Sequence, residues 1–229
     1  SSQGTSQINK SLFPLAYVPQ EAYIINSSLL ENLKFGSSLA TKEYLRKCIH
    51  AACLEKDIRD LPAGLKTEIG EKGVNLSGGQ KQRVSLGRAA LVNPQFVLLD
   101  DPLSAVDVDT ERLICDRLLF GLWKDITRVV VTHRLESLSR FDRVIFLRHG
   151  EICAQGKFAE ILQNSKEFAK FYAEHEKQDH ETEKTAALEI RPPAKTLLKA
   201  ASPKMRSVKK EPSNLQFTGT TFNLSAGEA

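Results

Sequence analysis

Three observations predict an α/β fold with a mostly parallel sheet. Residues Phe96 to Leu99 form a continuous apolar run, and Val129 to Val131 form a second one. Such runs are typical of strands that are buried on both faces of a parallel sheet. Residues 107–122, between them, have the spacing of an amphipathic helix. The third observation is a glycine-rich segment, Leu76-Ser77-Gly78-Gly79-Gln80, which leads into a helix from about Gln80 to Val92.

The elements before this segment are short. Leu15 to Val18 has the pattern of a strand, and Ser27 or Ser28 is expected to cap a short helix over Leu29 to Phe35. Over residues 41–60, apolar residues recur at helical spacing. The members of this stripe are Leu45, Ile49, Ala52, Cys53, Leu54 and Ile58.

After the second apolar run, the pattern predicts a hairpin followed by a helix. Val144 to Leu147 and Glu151 to Cys153 are the expected strands, and His149-Gly150 is the tight turn between them. A helix is expected to start at Phe158 and to continue to about His175.

The two ends of the chain have a different composition. Residues 1–10 are polar and are expected to be loose, and residues 178–229 are polar, rich in proline and expected to form a disordered linker or tail. Within the tail, the stretch from Arg191 to Lys210 is basic and contains no acid, which favours a solvated linker. The alternative is a regulatory tether that touches anionic lipid headgroups or is phosphorylated at Ser207.

Composition excludes several classes of protein. A chain of 229 residues with 41% hydrophobic content can bury one sizeable core, which fits one domain and a tail. The net charge of +4 is too small to indicate nucleic-acid binding. No apolar run approaches the roughly twenty residues that span a bilayer, and no signal peptide opens the sequence. Any contact with a membrane is therefore expected to come through a partner.

The cysteines are expected to be reduced thiols, because no secretory signal accompanies them. Cys48 and Cys53 are close enough in the sequence to raise the alternative of a metal site. Their spacing suits no common pair of zinc ligands, and the helical apolar stripe around them favours burial instead. The four cysteines are Cys48, Cys53, Cys115 and Cys153.

Two segments favour nucleotide phosphate chemistry. In the glycine turn (Leu76 to Gln80), Ser77 can cap the following helix, and two glycines let the backbone approach an anion at its positive end. The apolar run that ends in Asp100 and Asp101 delivers carboxylates to the edge of the sheet where α/β proteins bind ligands, and a carboxylate there can hold magnesium. Alone, a glycine pair is usually only a turn, and an aspartate pair is usually a solvated loop.

The motifs of the chain resemble a known family. LSGGQKQRVSLGRA (76–89), LLDDPLSAVD (98–107) and VTHRL (131–135) are similar, in that order, to the nucleotide-binding domain of an ABC transporter. AYVPQ (16–20) and SLLENLKFG (28–36) are most similar to the first such domain in the multidrug-resistance-associated (C) subfamily. The resemblance covers roughly residues 10 to 175.

The resemblance implies a P-loop NTPase-like ABC ATPase domain over residues 1–177, with a small helical subdomain at about 37–92. It also implies the cofactors ATP and Mg²⁺, and in-line phosphoryl transfer from ATP to water. The expected partners are a second nucleotide-binding domain and the transmembrane domains of the same transporter, with this domain on the cytoplasmic side of the membrane.

Roles at the edge of the sheet follow from the same resemblance. Asp100 is expected to organise magnesium, and His133 to hydrogen-bond the γ-phosphate. Gln20 is expected to meet magnesium or the attacking water and to couple the site to the membrane domain. Asp101 stands where most members have a glutamate that polarises the attacking water. Its side chain is one methylene shorter, and a displacement of about one ångström can cost on the order of a hundredfold in rate, so a slow or silent site is expected.

The remaining expected nucleotide contacts lie on surfaces that meet the second domain. The glycine turn is expected to close over ATP held by that domain, and the loop 104–107 is expected to cross the interface between the two. The residues concerned are Ser77, Gly78, Gly79, Gln80, Ser104 and Asp107.

A phosphate-binding loop ends in Gly-Lys-Ser/Thr, but the one Gly-Lys in this sequence, Gly156-Lys157, is followed by Phe158. The resemblance places that loop before residue 1, together with the aromatic residue that stacks on adenine. The chain is therefore expected to be the C-terminal two-thirds of a domain, either a fragment or a truncated gene product. Alone it is expected to be inactive.

The function that the sequence favours is ATP binding and hydrolysis in an ABC exporter. An alternative is a regulatory module that binds nucleotide to gate a channel or exporter without useful turnover, and Asp101 is the feature that favours it. A third reading is a chromosome-type ABC ATPase, which inserts long coiled coils. The sequence has no heptad run of that kind.

Overall fold

The sheet that carries the candidate site has three parallel strands. A computed structural model of the chain describes residues 14–35, 37, 41–71 and 73–175, all within one compact unit. The expectations for residues 1–10 and 178–229, including Ser207, lie outside the described residues. The described residues form the strands β1 (Leu15–Val18), β2 (Ser27–Ser28), β3 (Glu68–Ile69), β4 (Phe96–Asp100), β5 (Thr127–Val131), β6 (Val144–Arg148) and β7 (Glu151–Gly156), and β1, β4 and β5 make up this sheet.

The described helices lie between and after these strands in the chain. The α-helices are α1 (Leu29–Lys34), α2 (Lys42–Ala51), α3 (Glu55–Asp60), α4 (Gly78–Leu91), α5 (Val108–Ile114) and α6 (Phe158–Asn164). A π-helix spans Cys115–Leu122, and residues 166–175 are also helical. Among the described residues, no helix is long and apolar enough to cross a membrane.

The strand order β1-β4-β5 confirms the predicted parallel sheet. Val18 pairs with Leu99, and Asp100 pairs with Val131. The carboxyl ends of the three strands therefore meet at one edge. The residues that follow them, near positions 20, 101 and 133, come together there.

The expected burial of β5 on both faces is wrong. Val129 is 43% exposed and Val131 is 55% exposed, whereas Val97 and Leu99 of the central strand β4 are fully buried. The reason is the face on which these side chains lie. Val129 pairs with Leu98, which pairs with Tyr17, and Tyr17 on this face is 53% exposed, whereas Val130 on the other face packs against the main core. A continuous apolar run does not show whether one or both faces of its strand are covered.

Helix α4 begins at Gly78, two residues before the predicted start at Gln80. Ser77 is its N-cap, as predicted, and the two glycines form its first turn. Its buried face packs against the main core, with Gly87 in very close contact. A Cβ at Gly87 would lie 3.0 Å from Leu33 and 3.2 Å from Leu54. The close packing fixes α4 on the rest of the domain.

The helical stripe over residues 41–60 is divided into α2 and α3. Cys53 has a φ of 56°, which ends α2 and turns the chain before α3 begins. Cys48 and Ala52 are buried, while Cys53 is partly buried against the same core. The cysteines thus lie where the apolar stripe predicted.

Residues 107–122 are helical but not one regular α-helix. Asp107 caps α5, and the chain then widens into the π-helix, with the Trp123 amide donating to the Leu118 carbonyl oxygen. Leu118, Leu119 and Trp123 are buried in the main core. The amphipathic pattern therefore located the buried face but not the change in helical pitch.

The predicted hairpin is confirmed and is longer than expected. Strands β6 and β7 are antiparallel, and His149 and Gly150 have φ values of 49° and 80°, as a two-residue turn with positive φ at both positions requires. The helix expected from Phe158 to His175 is interrupted at Ser165, whose hydroxyl accepts from the Phe168 amide. A second, smaller core lies between the hairpin and these helices, formed by Val144, Phe146, Ile161 and Phe168.

Candidate functional site

Asp101 directly follows β4 and has an unusual backbone conformation. Its φ is 45°, a region that aspartate tolerates better than most residues. Its amide donates to the Val131 carbonyl oxygen at 2.8 Å, and its own carbonyl oxygen accepts from Ser104 Oγ at 3.1 Å and from Gln82 Nε2 at 3.4 Å. These bonds hold a backbone that costs on the order of 1 kcal/mol to adopt. Conformations of this kind occur often at functional sites.

The Asp101 carboxylate lies between Gln20 and His133. Gln20 Nε2 donates to Asp101 Oδ2 at 3.4 Å, and His133 Nδ1 lies 3.1 Å from Asp101 Oδ1. The Asp101 side chain is 11% exposed, while that of His133 is 64% exposed. The structure thus brings together the three residues for which the sequence suggested a catalytic role. A water or an anion entering from solvent would meet the imidazole first.

Asp100, the last residue of β4, is half-buried. None of the described residues forms a hydrogen bond or an ion pair with its carboxylate. Gln20 uses its amide nitrogen for Asp101, which leaves its amide oxygen as a possible ligand. Carboxylate and amide oxygens are the hard donors that Mg²⁺ prefers. The residues present therefore fit a magnesium ion.

The glycine turn is held by a capping box at the start of α4. Ser77 Oγ accepts from the Gln80 amide at 3.2 Å, and Gln80 Oε1 accepts from the Ser77 amide at 2.9 Å. Gln80 Nε2 donates to Asp57 Oδ1 at 3.0 Å. The side-chain amide of Gln80 therefore already has protein partners at both ends. Ser77 Oγ acts only as an acceptor among the described residues, so its hydroxyl hydrogen is the group that remains for a ligand.

Asp57 is the second anchor of the glycine turn, and the sequence did not indicate it. Arg83 Nε donates to Asp57 Oδ2 at 2.9 Å, and the guanidinium makes a second bond of 2.8 Å to Oδ1. The side chains of Arg83 and Asp57 are only 13% and 12% exposed. A planar, two-point pair of this kind fixes orientation as well as distance. It joins α3 to the second turn of α4.

The two glycines of the turn are needed for a close backbone approach. A Cβ on Gly79 would lie 2.8 Å from the carbonyl oxygen of Ala105, and one on Gly78 would lie 3.3 Å from the Ala105 side chain. The glycine turn therefore packs directly on the loop 104–107. Backbone amides in the first turn of a helix of this length can bind an anion.

Loop 104–107 is held from both sides by residues that the sequence analysis missed. Gln82 contacts Ser104 and Ala105 from α4. On the other side, Arg134 donates to the carbonyl oxygens of Ser104 at 3.3 Å and of Val106 at 3.0 Å, and it pairs with the buried Glu111. Burial raises the pKa of Glu111, and Arg134 opposes that rise. No spacing rule connects these positions.

Asp107 lies at the end of this loop and acts as a helix cap. Its Oδ1 accepts from the Thr110 amide at 3.0 Å, which lowers the pKa of the Asp107 carboxyl. Ser104 Oγ donates to the Asp101 carbonyl oxygen. Both residues suggested as nucleotide contacts in this loop thus have structural bonds as well.

Arg88, farther along α4, joins the helix to the segment that follows β1. It donates to the carbonyl oxygens of Tyr23 and Asn32, both at 2.8 Å, and its guanidinium lies 5.3 Å from the Phe35 ring centroid. Tyr23 and Phe35 are exposed.

The Gly156-Lys157 pair lies away from these residues in the chain, since Gly156 ends β7 and Lys157 caps α6.

The chain is similar to proteins of one family. A family model described as "ABC transporter" matches residues 4–104. ATP-binding cassette sub-family C member 3 from Homo sapiens is 44% identical over 180 residues, 76% of this chain and 12% of that protein. Sub-family C member 2 from the same species is 44% identical over 157 residues, 68% of this chain and 10% of that protein. The chain therefore spans about a tenth of the length of these curated relatives.

A solved structure has a similar fold. It is described as the structure of a bacterial Atm1-family ABC exporter with ATP bound. The TM-score is 0.66 at 30% identity, and the match covers 70% of this chain and 28% of that chain.

Proposed function

The chain belongs to the ABC transporter family, with relatives in its C subfamily, and from that premise we propose that it is the ATP-binding and hydrolysing part of an exporter. The observation that carries this proposal is the carboxylate edge, by which we mean Gln20, Asp100, Asp101 and His133. Asp101 contacts both Gln20 and His133 there, next to Asp100, whose carboxylate has no hydrogen-bond or ion-pair partner among the described residues.

Each residue of the carboxylate edge has a task that its position supports. Asp100 and the amide oxygen of Gln20 would hold Mg²⁺, which neutralises phosphate charge when it is bound with ATP. Asp101 orients the attacking water by accepting a hydrogen bond from it. His133, largely exposed beside that carboxylate, donates a hydrogen bond to the phosphoryl group as its charge develops.

The glycine turn serves a second nucleotide-binding domain in this proposal. Ser77 offers a hydroxyl hydrogen, and Gly78 and Gly79 offer open backbone amides at the positive end of α4. Gln80 supports them through the capping box and Asp57 rather than by free side-chain groups. Loop 104–107, on which the turn packs, would lie at the same interface. The segment 37–92, which holds α2, α3 and α4, is the proposed helical subdomain.

Transmembrane domains are the other proposed partner, with the domain on the cytoplasmic side of the membrane. The exposed aromatic residues Tyr23 and Phe35 form a patch with Arg88 of α4, which donates to the Tyr23 carbonyl oxygen and lies over the Phe35 ring. Within this patch, Tyr23 follows Gln20 by three residues in the chain. A membrane domain that docks on the patch could thus shift Gln20 relative to Asp101.

The test of this proposal is replacement of His133 in the complete protein that contains this domain. His133→Ala should slow single-turnover ATP hydrolysis about a hundredfold, the usual cost of losing one preorganised transition-state donor. ATP affinity should change far less. His50→Ala is the matched control, because His50 is an exposed histidine on α2 whose side chain pairs with Glu55. Equal losses of affinity and rate would instead assign His133 a structural role.

A second candidate is a regulatory domain that binds ATP without useful turnover. The observation that favours it is the short side chain of Asp101, which contacts its neighbours with a long 3.4 Å bond on one side. Equilibrium ATP binding compared with single-turnover hydrolysis separates the two candidates. Tight binding without turnover in the wild type would support the regulatory one.

A further inference from the structure

Gln82 is a buried polar residue to which the proposed mechanism gives no task. It lies in the second turn of α4 and is 3% exposed. A buried amide must find hydrogen-bond partners, because leaving one unpaired costs about 1–3 kcal/mol. Its partners therefore show what the side chain holds together.

These partners belong to three separate segments. Gln82 Nε2 lies 3.0 Å from the Gln20 carbonyl oxygen, 3.4 Å from the Asp101 carbonyl oxygen and 3.2 Å from Ser104 Oγ. Its Oε1 accepts from the Ala105 amide at 3.1 Å. One side chain thus joins the segment after β1, the segment after β4 and the loop 104–107.

Helix α4, which carries Gln82, is firmly fixed in the domain. Arg83, the next residue, makes the two-point pair with Asp57, and Gly87 packs closely on α1 and on the segment before α3. The bonds of Gln82 to the Gln20 and Asp101 carbonyl oxygens join these two segments to α4 next to the Asp101 side chain. The carbonyl group of Asp101, which its left-handed backbone turns toward α4, is bonded to this side chain directly.

We propose that Gln82 is a positioning residue for ATP hydrolysis, which holds Gln20 and Asp101 at their working separation and fixes loop 104–107 beside them. The inference rests on the proposed function, because it deepens the account of the same site. Gln82 does not contact the reacting atoms in this proposal. Its effect is on the placement of Asp101, where an error of about one ångström can cost on the order of a hundredfold in rate.

The first test needs no turnover and uses the 229-residue chain. Gln82→Met keeps the length and approximate volume of the side chain but removes its donor and its acceptor. Hydrogen exchange of the Ala105 amide should then accelerate on the order of tenfold, because its acceptor is lost. Gln95→Met, the same chemical change at an exposed position, should leave that amide as in the wild type. Unchanged protection of Ala105 in Gln82→Met would overturn the proposal.

The second test uses ATP hydrolysis by the complete protein. Gln82→Met should lower kcat about tenfold or more while KM for ATP stays within about twofold, because the residue sets geometry and does not bind substrate. Gln82→Glu keeps the oxygen that accepts from the Ala105 amide. It replaces the donating Nε2 by a second oxygen, which would face the three oxygens to which Nε2 donates. It should lower kcat while Ala105 stays protected. A Gln82→Met protein with less thermal stability but an unchanged kcat would show that the residue is only structural.

The two tests fail separately. If the wild-type protein hydrolyses no ATP while Gln82→Met exposes the Ala105 amide, the proposed function is wrong and the bridge between the segments is real. If the wild type hydrolyses ATP and Gln82→Met changes neither exchange nor kcat, the function stands and the role of Gln82 is wrong.

Discussion

The glycine turn and the carboxylate edge are both parts of one candidate site, yet the structure holds them in different ways. The turn is fixed by side chains, since Gln80 and Arg83 both bond to Asp57 with distances of 2.8 to 3.0 Å. The carboxylate edge is fixed by its backbone, while its side chains make longer contacts of 3.1 and 3.4 Å. His133 is mostly exposed.

This difference indicates that the glycine turn is preorganised for a ligand, whereas the side chains of the carboxylate edge are not. The side-chain bonds of the glycine turn fix its backbone amides in one geometry. Such preorganisation suits a surface that would bind a phosphate of ATP held by a second domain. At the carboxylate edge, the Asp100 carboxylate has no hydrogen-bond or ion-pair partner among the described residues, and Asp101 makes a long bond to Gln20. Side chains held in this way can rearrange around a metal ion and a water molecule.

Breaking the anchor of the glycine turn should have the largest effect on stability. Asp57→Ala leaves the nearly buried Arg83 without its ion-pair partner, and removing one member of such a pair typically costs about 3–5 kcal/mol. Urea unfolding of the chain measures the loss. Asp60→Ala, at an exposed acid of the same helix, is the control and should change the free energy of unfolding by less than about 0.5 kcal/mol. Similar values for the two variants would mean that the turn does not depend on Asp57.

Changing Asp101 should have a smaller effect, chiefly on the rate of hydrolysis. If its short side chain holds the carboxylate too far from the water, Asp101→Glu should raise single-turnover hydrolysis on the order of tenfold, or about 1.4 kcal/mol. Asp101→Asn keeps the left-handed backbone that asparagine also tolerates and should lower the remaining rate. ATP affinity should change little, because Asp100 remains for magnesium.

The measurement requires a protein in which the partner site is disabled, so that only this site turns over. Glutamate tolerates the φ of 45° less well than aspartate, so a modest loss of thermal stability should accompany any gain in rate. No gain with glutamate together with no loss with asparagine would remove Asp101 from the catalytic account. The carboxylate edge would then serve binding only.

Local patterns predicted the elements that depend on neighbouring residues. The N-caps at Ser77 and Ser28 and strands β1 and β4 are confirmed because their signals lie within a few positions of the chain. The carboxyl ends of neighbouring parallel strands lie at the same edge of a sheet. The contact between Asp101 and His133 could therefore be expected from their positions at the ends of two such strands.

Contacts between distant residues were not predictable from the sequence. Asp57 and Arg83 are 26 positions apart, and Gln82 reaches 62 positions back to Gln20. Nothing in the spacing of these residues marks them as partners. The exposure of β5 was missed for a related reason, since it depends on which distant residues pack over each face of the sheet.

The smallest expected effect distinguishes the two kinds of cap in the site. Ser77 caps α4 with a neutral hydroxyl, whereas Asp107 caps α5 with a carboxylate whose pKa is lowered by its bond from the Thr110 amide. Because the folded-state pKa of Asp107 lies below its unfolded value of about 3.9, its stabilisation is present above that pH and is lost as pH falls through the folded value. Ser77 has no such titration.

Ser77→Ala should therefore cost about 1 kcal/mol of unfolding free energy at every pH at which the chain stays folded. Asp107→Ala should cost about 0.5–1 kcal/mol at pH 7, less than a buried cap because the carboxylate is exposed and screened, and this cost should shrink below about pH 4. Urea unfolding of both variants and the wild type at pH 7 and pH 3.5 gives the comparison. A pH-dependent cost for Ser77→Ala would mean that a charged group near the glycine turn contributes to its cap. In that case the turn would not be the neutral, preorganised surface that its hydrogen bonds describe.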